Sequence, residues 1–149
     1  MSKPLVFLAA DHRGFALKAK LVAWLQEHGF DARDLGTDSE QRCNAGDFVP
    51  RFAAEMKTHQ DAKGVLICGT GQAMAMTANR YQHLRAALCA NATVARLTRE
   101  HNDANVLVMG GDIIGPAVAM DCLDVFMKTT FLGGVYGERR DKLTALGGL

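Results

Sequence analysis

The 149-residue chain is 48% hydrophobic and 22% charged, the composition of one globular core under a solvated surface. Lys plus Arg (17) against Asp plus Glu (16) leaves a formal net charge of +1, and the cations are scattered, which argues against nucleic acid or anionic membrane as a partner. No apolar run approaches the roughly 18 residues of a membrane span. The segment before Asp11 is too short for a signal peptide, and the cysteines Cys43, Cys68, Cys89 and Cys122 lack C-x-x-C spacing, so reduced thiols and a cytoplasmic location are expected.

Leu5 to Ala10 is a continuous apolar run that stops at Asp11-His12-Arg13-Gly14, as a strand buried on both faces does on entering a loop. Phe15 to His28 places Phe15, Leu17, Leu21, Val22, Trp24 and Leu25 at mostly helical spacing, with Lys18, Lys20, Gln26 and Glu27 between them and Gly29 as the cap. Phe30 to Leu35 alternates weakly as a second strand. A turn-rich stretch from Gly36 to Gly46 follows, and Phe48 to Gln60 reads as a helix with Pro50 in its first turn. Gly64 to Cys68 is a third strand, Gly69-Thr70-Gly71 a tight turn, and Gln72 to Arg80 a helix. Arg85 to Cys89 and Asn105 to Met109 are the remaining strands, Thr93 to Glu100 the helix between them, and Pro116 opens a last helix to about Thr129.

This alternation predicts one domain over residues 1–149, an α/β fold in three layers: a five-stranded parallel, Rossmann-like sheet covered by helices on both faces. Residues 130–149, rich in glycine, are expected to form a C-terminal arm with one short helix that packs on a partner subunit.

In open parallel sheets ligands bind beyond the carboxyl ends of the strands. The first strand delivers Asp11 and His12 there and the third delivers Cys68 and Thr70. The helix before the fifth strand ends in His101-Asn102-Asp103, so three loops are expected to converge on one cleft. A thiol beside a glycine turn and a helix start meets N–H groups and a positive helix end that favour thiolate. The alternative for Cys68 is a buried strand cysteine, which is the reading given to Cys43, Cys89 and Cys122.

The segment Gly69-Thr70-Gly71-Gln72-Ala73-Met74-Ala75 can turn backbone N–H groups inward as a nest for a phosphate or an enediolate oxyanion. It fails as a dinucleotide fingerprint, because the third glycine is missing and the following strand ends in Cys89 rather than an acid. Asp11, His12, Cys68 and His101 lack local metal-ligand spacing. No metal and no cofactor is expected. His101 can equally cap its helix, and Asn102-Asp103 can simply turn the chain.

The pieces Ala10-Asp11-His12-Arg13-Gly14-Phe15 with Leu17-Lys18, Ile67-Cys68-Gly69-Thr70-Gly71, Ala78-Asn79-Arg80, Arg85-Ala86 and Arg99-Glu100-His101-Asn102-Asp103-Ala104-Asn105-Val106-Leu107 occur in an order and spacing that resemble the ribose-5-phosphate isomerase B family, which includes galactose-6-phosphate and allose-6-phosphate isomerases. The resemblance covers nearly the whole chain. It implies a metal-free aldose–ketose isomerase of the ribose 5-phosphate/ribulose 5-phosphate type that moves a proton between C1 and C2 through a cis-enediolate. Cys68 matches the proton-transferring base and Gly69 to Ala75 the anion hole. Asp11, Thr70 and His101 match residues for ring opening and hydroxyl positioning, Asn102 a substrate contact, and His12 and Arg139 parts of the phosphate grip. A homodimer or homotetramer is implied, one subunit's His101 region and arm completing the other's site.

The chain also departs from the pattern. Asp112 and Val135 stand at usual arginine positions, and two lost charge-assisted contacts cost about 3–6 kcal/mol of phosphate binding. A shorter or unphosphorylated sugar, or a silent sugar-binding paralogue, is therefore the alternative. Ala73 stands at a common glycine, which matters only if its φ is positive. Asp47-Phe48-Val49-Pro50 replaces Asp-Tyr-Pro and removes a tyrosine hydroxyl.

Overall fold

The computed structural model describes residues 2–147; Met1 and the expected arm's last two residues, Gly148 and Leu149, lie outside the described residues. In chain order the elements are β1 (Leu5–Ala10), α1 (Phe15–Glu27), β2 (Asp31–Asp34), a 3₁₀ turn (Ala45–Phe48), α2 (Val49–Thr58), β3 (Lys63–Cys68), α3 (Gln72–Ala78), β4 (Ala86–Leu88), α4 (Ala92–Asn102), β5 (Val106–Gly110), α5 (Pro116–Lys128) and α6 (Val135–Leu146). The five strands form one sheet in the order β2-β1-β3-β5-β4, and every pairing is parallel.

The hydropathy of each strand follows its place in this order. Central β1, β3 and β5 are covered on both faces and are almost wholly buried. The edge strands β2 and β4 are short and partly exposed. Alternation along the central strands sends Val6, Leu8, Ala10, Val65, Ile67, Leu107 and Met109 to the core shared with α1 and α5. Phe7, Ala9, Leu66, Cys68, Val106 and Val108 go to the core shared with α2 and α3. The chain leaves β1 toward β2 on one side and returns through β3 on the other. That reversal opens a crevice at the carboxyl ends of β1 and β3.

Three sequence expectations need correction. Lys18, read as a polar position of the first helix, is fully buried; its ammonium donates to Asp34 Oδ1 and to the carbonyl of Thr37 at 2.8 Å, so α1 is tied to the end of β2. The C-terminal arm carries a helix of 12 residues, α6, rather than a short one. The fourth helix starts at Ala92, where Asn91 caps it by accepting from the Val94 N–H at 2.9 Å, and extends through His101 and Asn102 to end at Asp103, whose backbone is left-handed. Among the described residues no helix is long and apolar enough to cross a membrane.

Candidate active site

β3 ends at Cys68, a side chain only 4% exposed in the layer beneath α2 and α3. Two glycines make the turn beyond it possible. Gly71 has φ +82°, and a Cβ there would lie 2.5 Å from Leu88 Cδ1; a Cβ on Gly110 would lie 2.7 Å from the Thr70 carbonyl carbon. The β5 loop therefore lies directly against the turn, and the N–H groups of Gly111 and Asp112 donate to the carbonyls of Cys68 and Gly69 at 2.8 and 2.9 Å.

Helix α3 starts at once, so its first-turn N–H groups point away from the helix body. The Gln72 N–H is taken by Thr70 Oγ1 at 3.3 Å, while Ala75 already donates to the Gly71 carbonyl at 3.0 Å. Ala73 and Met74 lie between them, with Ala73 exposed and the Met74 side chain buried in the core. The only positive φ on a non-glycine residue among the described residues belongs to Asp103. Ala73 thus sits unstrained in the helix, and alanine there leaves the backbone donors of the turn in place.

Asp11 is buried, and its Oδ1 accepts from the N–H groups of Arg13 and Gly14 at 3.0 and 3.1 Å. This closes the β1 loop against β3 and fixes the carboxylate. His12 Nδ1 accepts from the Cys43 N–H at 3.3 Å, which leaves Nε2 as the ring's donor. The Gly36–Gly46 stretch, featureless in sequence, is what orients that imidazole. Cys89 and Cys122 are buried as expected, and burial pushes the Cys89 thiol up to about 12 and also raises that of Cys122; Cys43, expected to be a buried strand cysteine, instead lies half-buried in the loop after β2, its Sγ 3.8 Å from His12 Nδ1.

The expected convergence of three loops does not occur within one chain. A crossover helix runs back antiparallel to its strands, so α4 ends at the amino edge of the sheet, below the start of β5. Cys68 pairs with Gly110, four residues beyond the first residue of β5, a rise of about 13 Å along the strand. His101, Asn102 and Asp103 therefore lie at the far end from Asp11, Cys68 and Thr70. There the His101 ring stacks on Tyr136 of α6, centroids 4.4 Å apart and planes 10° from parallel, and the Arg139 guanidinium lies over the Tyr136 ring, 5.6 Å from its centroid.

Sequence reasoning missed the group that organises this end. Asp103, in the left-handed region at φ +50°, accepts from Arg99 at 3.0 Å and Arg140 at 2.7 Å, with Arg85 3.5 Å away. Burial alone would raise its pKa, but hydrogen bonds from Arg140 and Arg99 and the charge of Arg85 outweigh burial and hold it below the ordinary carboxylate range. Charged residues at i and i+4, Arg99 and Asp103, were the one local signal of this cluster.

The profile of the ribose/galactose isomerase family matches residues 6–143. The chain belongs to this family. It is 33% identical over 141 residues to ribose-5-phosphate isomerase B of Escherichia coli (strain K12), covering 95% of each chain. Its fold superposes on ribose-5-phosphate isomerase B of Anaplasma phagocytophilum with a TM-score of 0.90 at 42% identity, covering 96% of this chain and 98% of that one. The Mycoplasma genitalium ribose-5-phosphate isomerase B with bound ribulose-5-phosphate matches with a TM-score of 0.94 at 31% identity over 99% of both chains. As a member of the ribose/galactose isomerase family, the chain keeps Asp11, His12, Cys68 and Thr70 around one crevice, with His101, Asn102 and Arg139 at the other end of the sheet.

Proposed function

We propose that the chain is an aldose–ketose isomerase of the ribose-5-phosphate isomerase B type, in which Cys68 carries the proton between C1 and C2. The Cys68 thiolate takes the C2 proton of the open-chain aldose, the electron pair moves to form the C1–C2 double bond of a cis-enediolate, and the carbonyl oxygen gains the charge. The thiol then returns the proton to C1, while a hydroxyl proton passes from O2 to O1, giving the ketose. The observation that carries this reading is the position of Cys68, at the crevice end of β3 immediately before a turn of backbone donors. A base on one side of the carbon and fixed N–H groups on the other are what abstraction of a weakly acidic C–H requires.

In this scheme the turn Gly69 to Ala75 holds the enediolate through the N–H groups not already spent inside it, those of Ala73 and Met74 among them, Asp11 and Thr70 fix the sugar hydroxyls, and His12 donates through Nε2. His101 opens the sugar ring and Asn102 and Arg139 hold the substrate from a second copy of the chain, since their own Cys68 is out of reach. A homodimer is then the smallest complete unit, with α6 of one copy against the site of the other. The four cysteines are free thiols, in keeping with a reducing, cytoplasmic setting.

The test is complementation. Cys68→Ala and His101→Ala are each inactive alone, and a refolded mixture regains about a quarter of wild-type activity, because half the dimers are mixed and one of their two sites is intact. No recovery overturns the shared site. No Cys68-dependent exchange of the sugar C–H proton with deuterated water, across sugars of four to six carbons with and without phosphate, overturns the isomerase itself.

A further inference from the structure

An ion pair that the proton-transfer scheme leaves unused spans the mouth of the crevice. Arg13 follows His12 in the loop after β1, Asp112 follows β5, and Arg13 Nη1 donates to Asp112 Oδ2 at 2.6 Å. The pair lies over the turn next to the thiol: a Cβ built on Gly69 would come within 2.9 Å of Arg13 Cδ and 3.0 Å of Asp112 Oδ2. Both side chains are open to solvent, 61% and 48% exposed, so a ligand that reaches the turn at Gly69 meets them. Asp112 is held in place from below by its own N–H bond to the Gly69 carbonyl.

The pairing decides the charge of this wall. Arg13 is the cation of the loop beside the thiol, and Asp112 neutralises it. At the other end of the sheet Arg85, Arg99 and Arg140 are spent on Asp103, and Arg140 also on Asp141. A phosphate dianion held at His12, the residue before Arg13, must either pull Arg13 off Asp112 and leave that carboxylate uncompensated, or sit beside a cation that Asp112 has already neutralised. A neutral polyhydroxyl chain meets no such conflict, since its hydroxyls accept from the guanidinium and donate to the carboxylate at once.

Resting on the isomerase reading, we infer that the Arg13–Asp112 pair is a specificity determinant that shifts the site from phosphorylated sugars toward neutral ones. The quantity that reads it is the ratio of kcat/KM for ribose 5-phosphate to kcat/KM for ribose, measured on the full chain. Asp112→Asn keeps the backbone bond and releases Arg13; this ratio rises about tenfold or more, the weight of one charge-assisted hydrogen bond. Arg13→Gln leaves Asp112 unpaired, and the ratio falls. Thermal midpoints close to that of the wild type certify folding of both exposed-site variants. A ratio that stays within about twofold of wild type in both variants overturns the inference while leaving the isomerase reading intact. Absence of Cys68-dependent turnover of either sugar by the wild type overturns this inference, and the isomerase reading falls with it only when the panel of four- to six-carbon sugars, with and without phosphate, also shows no Cys68-dependent exchange.

Discussion

At the carboxyl end of the sheet the crevice is made largely of backbone, whereas at the amino end His101 is set among charged and aromatic side chains. Around Cys68 the shape comes from glycines that let two loops touch and from N–H groups that are fixed once those loops are packed. Around His101 it comes from Asp103 gathering Arg85, Arg99 and Arg140, and from Tyr136 stacking on the imidazole. Steric construction is indifferent to salt and pH; electrostatic construction answers to both. The two ends should therefore fail differently.

The largest expected effect is at the backbone end. Cys68→Ala removes the proposed general base and is expected to lower kcat by about 10²–10⁴-fold with the fold intact, read by isomerisation and by deuterium uptake at the substrate carbon. Gly71→Ala comes next. It forces a Cβ into a positive-φ position and against Leu88, at a cost of about 2–4 kcal/mol of unfolding free energy, read by denaturant titration; a loss well below 1 kcal/mol means the turn is softer than described.

At the electrostatic end the expected changes are smaller and depend on conditions. Asp103 is depressed in the folded chain, so its contribution is present above the unfolded value of about 3.9 and is lost as pH falls through the folded value. Asp103→Asn accepts the same left-handed backbone without the charge. The variant is less stable than wild type at neutral pH, and the gap narrows as the medium is acidified below about pH 4; a gap that stays constant with pH assigns the loss to packing instead. Tyr136→Ala removes one aromatic stack, worth about 0.5–1.5 kcal/mol, and raises mobility at His101, read from the line width of its ring resonances. Tyr136→Phe keeps the stack and changes neither.

Much of this was legible in the residues. Continuous apolar runs identified β1, β3 and β5 because a strand covered on both faces has no polar side to alternate, and Cys68-Gly69-Thr70-Gly71 was legible as a turn because only glycine accepts its geometry. The edge strands β2 and β4 came out shorter than expected, since half-exposed segments carry little pattern. Lys18 was misread because a lysine between apolar positions looks like a solvated face until Asp34 and the Thr37 carbonyl are brought over it. The arm's helix was shortened in the reading by its glycines, whereas Arg140 and Tyr136 dock it on α4.

By itself, the sequence determined the alternation of strands and helices, the thiol-bearing turn and the family, because periodicity and turn chemistry are local properties of the chain. Only the tertiary structure decided which charges meet: Arg13 and Asp112 stand 99 residues apart and touch, while His101 and Cys68 lie at opposite edges of one sheet. The physical reason is that such meetings depend on strand order and on the direction in which each crossover helix returns, and both are fixed by packing the whole sheet at once rather than by any segment's own preference.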